Sequence, residues 1–344
     1  MNTSHEGKYY AFNDETVPFS LCHASNCFIL PNKNILVAWF AGSYEGADDT
    51  AIWMTTVDEK GFSLPVIVAN DGDIPHWNPV FFMESEDQKI WLLYKIGRQI
   101  DTWQTMVRYS NDLGRTWTNP QELVAGDRGG RGPVRTKMIS VNNGTILAGG
   151  SVEKGIWHSF IDRSLDGGLN WVKSESIAIP GLVYSGHRTA TSDIAVSEQS
   201  FYGRGVIQPT LWTHGTEDVY ALMRSSEGVL FRSNSHDYGL TWSDPVKTDF
   251  PNNNSGIDIV TLSSGNLVMC SNPVELNWGP RSPLCLHLSK DNGFTWELLC
   301  TLEEGEGEYS YPSLTRKEHI VCLSYTWNRK SIVVWRFDER KWEE

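Results

Sequence analysis

The chain has 344 residues, 40% of them hydrophobic and 21% charged, which is enough to bury a large core and excludes disorder and collagen. Its 29 basic and 42 acidic residues give a net charge of −13, so a general nucleic-acid binder is excluded by the lack of a basic footprint. The pairing of 15 Trp with 30 Gly points to sheets joined by many tight turns.

The N-terminal stretch, residues 1–19, lacks a basic segment followed by an apolar run, and the longest apolar run, near Ile35 to Phe40, is far too short to span a bilayer. A cytoplasmic protein without a membrane partner is expected. Six cysteines (22, 27, 270, 285, 300 and 322) show no CxxC spacing and are read as buried thiols, not as a zinc site or a disulfide framework. No P-loop, dinucleotide fingerprint or EF-hand loop occurs, and the reading calls for no metal and no cofactor.

Polar turns separate apolar, strand-like runs near Asn34, Asp87, Gly144, Thr216, Gly265 and Lys317, at separations of 53, 57, 72, 49 and 52. In phase with them runs a motif, Ser-x-Asp-x-Gly-x-Thr/Asn-Trp, at 110–117, 164–171, 235–242 and 289–296, with a decayed copy at 56–63. Its Asp and Ser side chains suit bonds to nearby backbone N–H groups, Gly supplies positive φ, and Trp plugs the space below. Six units of about 50 residues with four short strands each predict an all-β chain: a six-bladed β-propeller of four-stranded antiparallel blades, occupying 1–344 as one domain. The N-terminal segment is expected to close the last blade. Almost no helix is expected. One unit is longer by about 18 residues, and its excess (172–207, with His187 and Arg188) is read as a cover over the site.

In such a ring the starts of first strands and the ends of second strands converge on one axial basin. First-strand starts supply His23, His76, Asn78, Arg131, Arg135, Gln208, Asn254 and Tyr311. Second-strand ends supply Glu45, Asp48, Asp49, Lys95, Glu153, Arg224 and Arg281. Clustered Arg in an acidic chain favours a carboxylate-bearing ligand. The four motif aspartates belong to the opposite side and are read as structural.

These features resemble the sialidase (neuraminidase) superfamily in its Asp-box, or BNR-repeat, branch. The resemblance covers nearly the whole chain and implies an exo-glycoside hydrolase acting on a small glycan terminus that bears an acidic sugar. It implies that Arg224 and Arg281 hold the substrate carboxylate. It implies Tyr311 (with Tyr309 as a nearby alternative) as nucleophile, and Asp49 or Asp48 as acid/base. His23 stands where the family has a third arginine, and Gln208 where it has the glutamate that pairs with the tyrosine. Two alternatives follow from those departures: a lyase or glycosidase that uses His23, His76 and Tyr311 on uronate glycans, and a carbohydrate-binding propeller without chemistry. His76, Asn78, Lys95, Arg131, Glu153 and Asn254 complete the expected substrate-binding set.

Overall fold

The structure, a computed structural model, describes residues 7–84, 89–189 and 198–342. In chain order the strands are β1 (Gly7–Tyr10), β2 (Leu21–Ile29), β3 (Ile35–Gly42), β4 (Ala51–Asp58), β5 (Gly61–Phe62), β6 (Val66–Ala69), β7 (His76–Met83), β8 (Ile90–Ile96), β9 (Gln104–Ser110), β10 (Gln121–Glu122), β11 (Ile139–Ser140), β12 (Ile146–Val152) and β13 (Ile156–Ser164). There follow β14 (Val172–Lys173), β15 (Arg204–His214), β16 (Asp218–Ser225), β17 (Val229–Ser235), β18 (Val246–Pro251), β19 (Asp258–Thr261), β20 (Leu267–Ser271), β21 (Leu284–Ser289), β22 (Glu297–Glu303), β23 (Tyr309–Lys317), β24 (Ile320–Trp327) and β25 (Ser331–Asp338). The fold is all-β. Helical structure among the described residues is confined to short 3-10 turns, and no helix there is long and apolar enough to cross a membrane.

The strands run as consecutive antiparallel meanders: β2-β3-β4 with β5 and β6, then β7 to β10, β11 to β14, β15 to β18, β19 to β22, and β23-β24-β25 completed by β1. The third and fourth meanders touch through a two-residue parallel contact, Ile156 and Trp157 with Arg204 and Gly205, which fuses them into one eight-stranded sheet. The expectation that the N-terminal segment completes the last sheet matches the pairing of Tyr10 with Val333 and Gly7 with Arg336. The turn expected near Asp87 lies outside the described residues.

The apolar core is not one mass. Most clusters are shared by two consecutive meanders: Leu36 and Phe40 with Phe81 and Leu92, then Leu93 with Ile146, Leu147 with Val219, Leu222 with Ile259, and Val268 with Leu323. The last cluster joins Val37 and Trp39 to Cys322 and Val334, so the first meander packs against the final one. Alternating side chains on a sheet buried on both faces give this arrangement directly.

The Asp boxes begin at the ends of β9, β13, β17 and β21. In each, the Gly N–H donates to the Ser Oγ at 2.8 or 2.9 Å, and the Asp carboxylate accepts the backbone N–H four residues on. Hydrogen bonds to Thr116 and Asn170 hold the Asp112 and Asp166 carboxyls down at about 2. The motif also fastens one sheet to the one before it. A Cβ on Gly114 would stand 2.9 Å from Leu36, and one on Gly168 2.0 Å from Trp91. Gly168 also has φ +86. Gly168→Ala therefore combines a left-handed backbone with a clash against a buried ring. It should lower unfolding stability by at least about 2 kcal/mol, read as a shift of the urea midpoint with unchanged activity in the surviving folded protein.

Candidate active site

A recurrent irregularity builds the site. Register shifts interrupt β2 between His23 and Asn26, β7 between Trp77 and Val80, β15 between Ile207 and Thr210, and β23 between Ser310 and Ser313. At each bulge one non-glycine residue takes positive φ: Ala24 (53°), Asn78 (44°), Gln208 (55°) and Tyr311 (56°), and Asn254 (59°) does so just before β19. Three of these precede proline, in Asn78-Pro79, Gln208-Pro209 and Tyr311-Pro312. Such conformations cost about 1–3 kcal/mol each and persist only where the surroundings impose them. Here the result is that Asn78, Gln208 and Tyr311 line one cavity of about 350 Å³, together with His23, Glu45, Glu153, Arg224 and Arg329. Trp77, Trp103, Trp278 and Tyr44 supply its aromatic walls.

Tyr311 is the centre. Its hydroxyl lies 2.9 Å from Arg224 Nη1, and the guanidinium carbons of Arg281, Arg135 and Arg224 stand 5.3, 5.4 and 5.7 Å from its ring. Burial pushes the phenol up, but Arg224 and Arg281 outweigh it and bring it below its usual value. Arg224 is buried and, among the described residues, bonded to neutral oxygens alone: Tyr311 Oη, Gln208 Oε1 at 3.0 Å and Asn254 Oδ1 at 3.0 Å. Arg135 sits beneath, donating to the carbonyls of Pro312 (2.7 Å) and Ile257, which fixes the backbone on either side of the axis.

Arg281 donates to Glu308 at 2.6 Å, and Arg329 grips the same carboxylate at 3.0 Å while also pairing with Glu45. Burial raises the Glu308 carboxyl and the two arginines more than reverse that, leaving it low. Among the described residues Arg281 Nη2 and His23 Nδ1 are buried without a hydrogen-bond partner. The acidic run 303–308 is therefore part of the site's scaffold at Glu308, while Glu303 accepts from Lys8 and Tyr325 at the outer side.

Not every expected residue meets this cavity. Asp49 is exposed and turns back to accept from Ser43 N at 3.1 Å, and Asp48 is exposed and pairs with Arg98 at 2.9 Å. The acidic residue of that loop on the cavity wall is Glu45, beside Tyr44. His76 is spent on its own loop, with Nδ1 donating to the Ile74 carbonyl at 2.8 Å and Nε2 accepting from Asp71 N at 3.0 Å. Lys95 is buried among Thr105 Oγ1 (2.7 Å), Gly130 O (2.7 Å) and Arg131 O (3.0 Å), and burial brings its ammonium down to about 7. Arg131 braces Asp162 at 2.7 Å. These three pin loops between sheets and are not on the cavity wall. Asn254 acts from behind, orienting Arg224. Tyr309 is buried and bonds the Glu306 carbonyl.

Of the insertion, Ser200 reaches the cavity wall, and Phe201 packs on Trp278 at 5.6 Å with Arg188 over its ring at 4.3 Å. His187 is exposed, and residues 190–197 lie outside the described part.

His23 packs its ring 4.3 Å from that of Tyr311. Burial first, then Arg329, Arg281, Arg135 and Arg224, hold it neutral well below 6.5. In the unfolded chain it takes a proton as pH falls through about 6.5, so the unfolded state then binds more protons and stability drops. The slope reaches about 1.4 kcal/mol per pH unit. Urea unfolding at pH 7 and pH 5 should show a larger loss for the wild type than for His23→Phe.

The sheets and the cavity together define an all-β protein of antiparallel meanders with an arginine-bearing pocket. A family model described as BNR repeat-like domain matches residues 33–323, and the chain belongs to that family. The fold is similar to that of the Hadza microbial sialidase Hz136 (TM-score 0.74, 15% identity, covering 97% of this chain and 69% of that one). It is similar also to a protein of unknown function from Dyadobacter fermentans (0.72, 14%, 98% and 99%). A third is the intramolecular trans-sialidase from Ruminococcus gnavus, solved in complex with oseltamivir carboxylate (0.68, 11%, 98% and 98%). No curated protein matches the sequence.

Proposed function

We propose that the chain is a single six-bladed propeller and an exo-acting glycoside hydrolase that removes a terminal acidic sugar, sialic-acid-like or uronate-bearing, from a small glycan. The six meanders with a shared cluster at every junction support the blade count. The observation that carries the activity is the Tyr311 hydroxyl held 2.9 Å from a buried Arg224 that, among the described residues, no carboxylate contacts directly. A phenol in that setting loses its proton more readily, and the guanidiniums that favour the phenolate also offset its repulsion from the sugar's carboxylate as it attacks the anomeric carbon. Arg224, Arg281 and Arg329 hold the sugar's carboxylate. Arg329, from the β24–β25 turn, supplies the third guanidinium that the sequence lacks at His23. The aromatic walls exclude water from the sugar ring.

His76 is committed to its own loop, so of the three residues of the histidine-dependent lyase reading only His23 and Tyr311 face the cavity. The test is a panel of 4-methylumbelliferyl glycosides of sialic acid, glucuronate, galacturonate and glucose, with absorbance near 235 nm (roughly, for an unsaturated product of proton abstraction) followed in parallel. Fluorophore release from an acidic glycoside and not from the glucoside is expected. Sugar binding without release would establish the binding propeller instead, and an absorbance rise would establish elimination.

A further inference from the structure

We infer that Glu153 is the proton-transferring acid/base of this cavity. The inference rests on the glycosidase reading above and concerns which carboxyl serves it. Two glutamates line the cavity, Glu45 and Glu153. Glu45 is paired with Arg329, and Glu308 behind it is shared by Arg281 and Arg329. Glu153, from the turn between β12 and β13, has no ion pair among the described residues. Its contacts are neutral donors, Ser151 Oγ at 3.4 Å and Gln208 Nε2 at 3.4 Å. The charged groups around it are Arg224 from β16, the Lys154–Asp101 pair beside it (2.7 Å), and the Arg98–Asp48 pair, whose Arg98 lines the same cavity. Burial raises its carboxyl above the ordinary value, with Arg224 opposing in part. A carboxyl on the cavity wall, free of an ion pair among the described residues and with its protonated form favoured, suits protonation of a leaving oxygen. Gln208 is then a positioning residue: it joins Glu153 to Arg224, and through Arg224 to Tyr311.

The chemistry balances. Tyr311, as phenolate, forms a bond to the anomeric carbon while the bond to the leaving oxygen breaks and takes the Glu153 proton. Water then attacks the same carbon and gives its proton to the Glu153 carboxylate. Tyr311 departs as phenolate beside Arg224, which restores the starting state.

Glu153→Gln and Glu153→Asp test the assignment on two glycosides of one acidic sugar, a methylumbelliferyl glycoside and an alkyl glycoside, with thermal melting to check the fold. Glu153→Gln should lower kcat/KM on the alkyl glycoside by at least about 10²-fold and on the aryl glycoside by less than about 10-fold. It should also lose the alkaline limb of the pH profile, and added azide should restore turnover with a glycosyl azide as product. Glu153→Asp, which retracts the carboxyl, should show the same ordering of substrates if the glutamine variant does not fold. Equal losses on both substrates, or a retained alkaline limb, overturn the assignment while leaving the glycosidase reading intact. A wild type that turns over no acidic glycoside overturns both.

Discussion

Tyr311→Phe should abolish turnover of the best acidic aryl glycoside, lowering kcat by at least about 10³-fold while leaving KM within a few-fold. Removing one oxygen takes away the proposed nucleophile, and nothing else among the described residues of the cavity wall replaces it at that point. The ring stays, with its packing on His23 at 4.3 Å and its place over Arg135 at 5.4 Å. Among the described residues the bond lost is that to Arg224, worth about 1 kcal/mol. The variant should therefore melt within a few degrees of the wild type. A loss of activity that tracks a loss of fold would mean that Tyr311 is a packing residue.

Arg224→Met should act on two quantities at once. The carboxylate of the sugar loses its innermost guanidinium, and affinity for an acidic-sugar ligand should fall by on the order of 10²–10³-fold, about 3–4 kcal/mol. The phenol of Tyr311 also loses the strongest influence that lowers it, so its ionisation moves to higher pH. The rising limb of activity in whatever turnover remains should move with it. Methionine leaves Gln208 and Asn254 with acceptors once directed at Arg224, and calorimetry on the folded variant separates that structural cost from lost affinity. Arg131→Met provides the contrast: Arg131 braces Asp162, so it should cost stability and leave affinity unchanged.

The order of strands was legible because hairpin turns and Asp boxes punctuate the chain locally, and each box makes the same short-range bonds wherever it occurs. Tyr311, Arg224, Gln208 and Asn78 were legible as well, since a repeating unit places equivalent positions at equivalent depths. Arg329 follows from the same rule. It ends the second strand of the last sheet as Glu153 and Arg224 end theirs, but a turn reading Trp327-Asn328-Arg329-Lys330 looks like an ordinary surface hairpin. Asp48 and Asp49 were misplaced for another reason. Their orientation depends on how the loop from Ser43 to Thr50 folds back on itself, with Asp49 accepting from Ser43, and a strand period carries no information about that. His76 and Lys95 sit at the right height but point to loops and not to the axis. Three of the residues that do reach the cavity, Asn78, Gln208 and Tyr311, stand at bulges, and a following proline marks each of them.

The most direct test of the account is a rapidly quenched reaction with a fluorinated acidic-sugar substrate that slows the second half of turnover, followed by peptide mass spectrometry. The account predicts a glycosyl adduct on the peptide containing Tyr311, located on that side chain and lost in Tyr311→Phe. An adduct on another residue, or multiple turnovers in Tyr311→Phe at the wild-type rate, would contradict it.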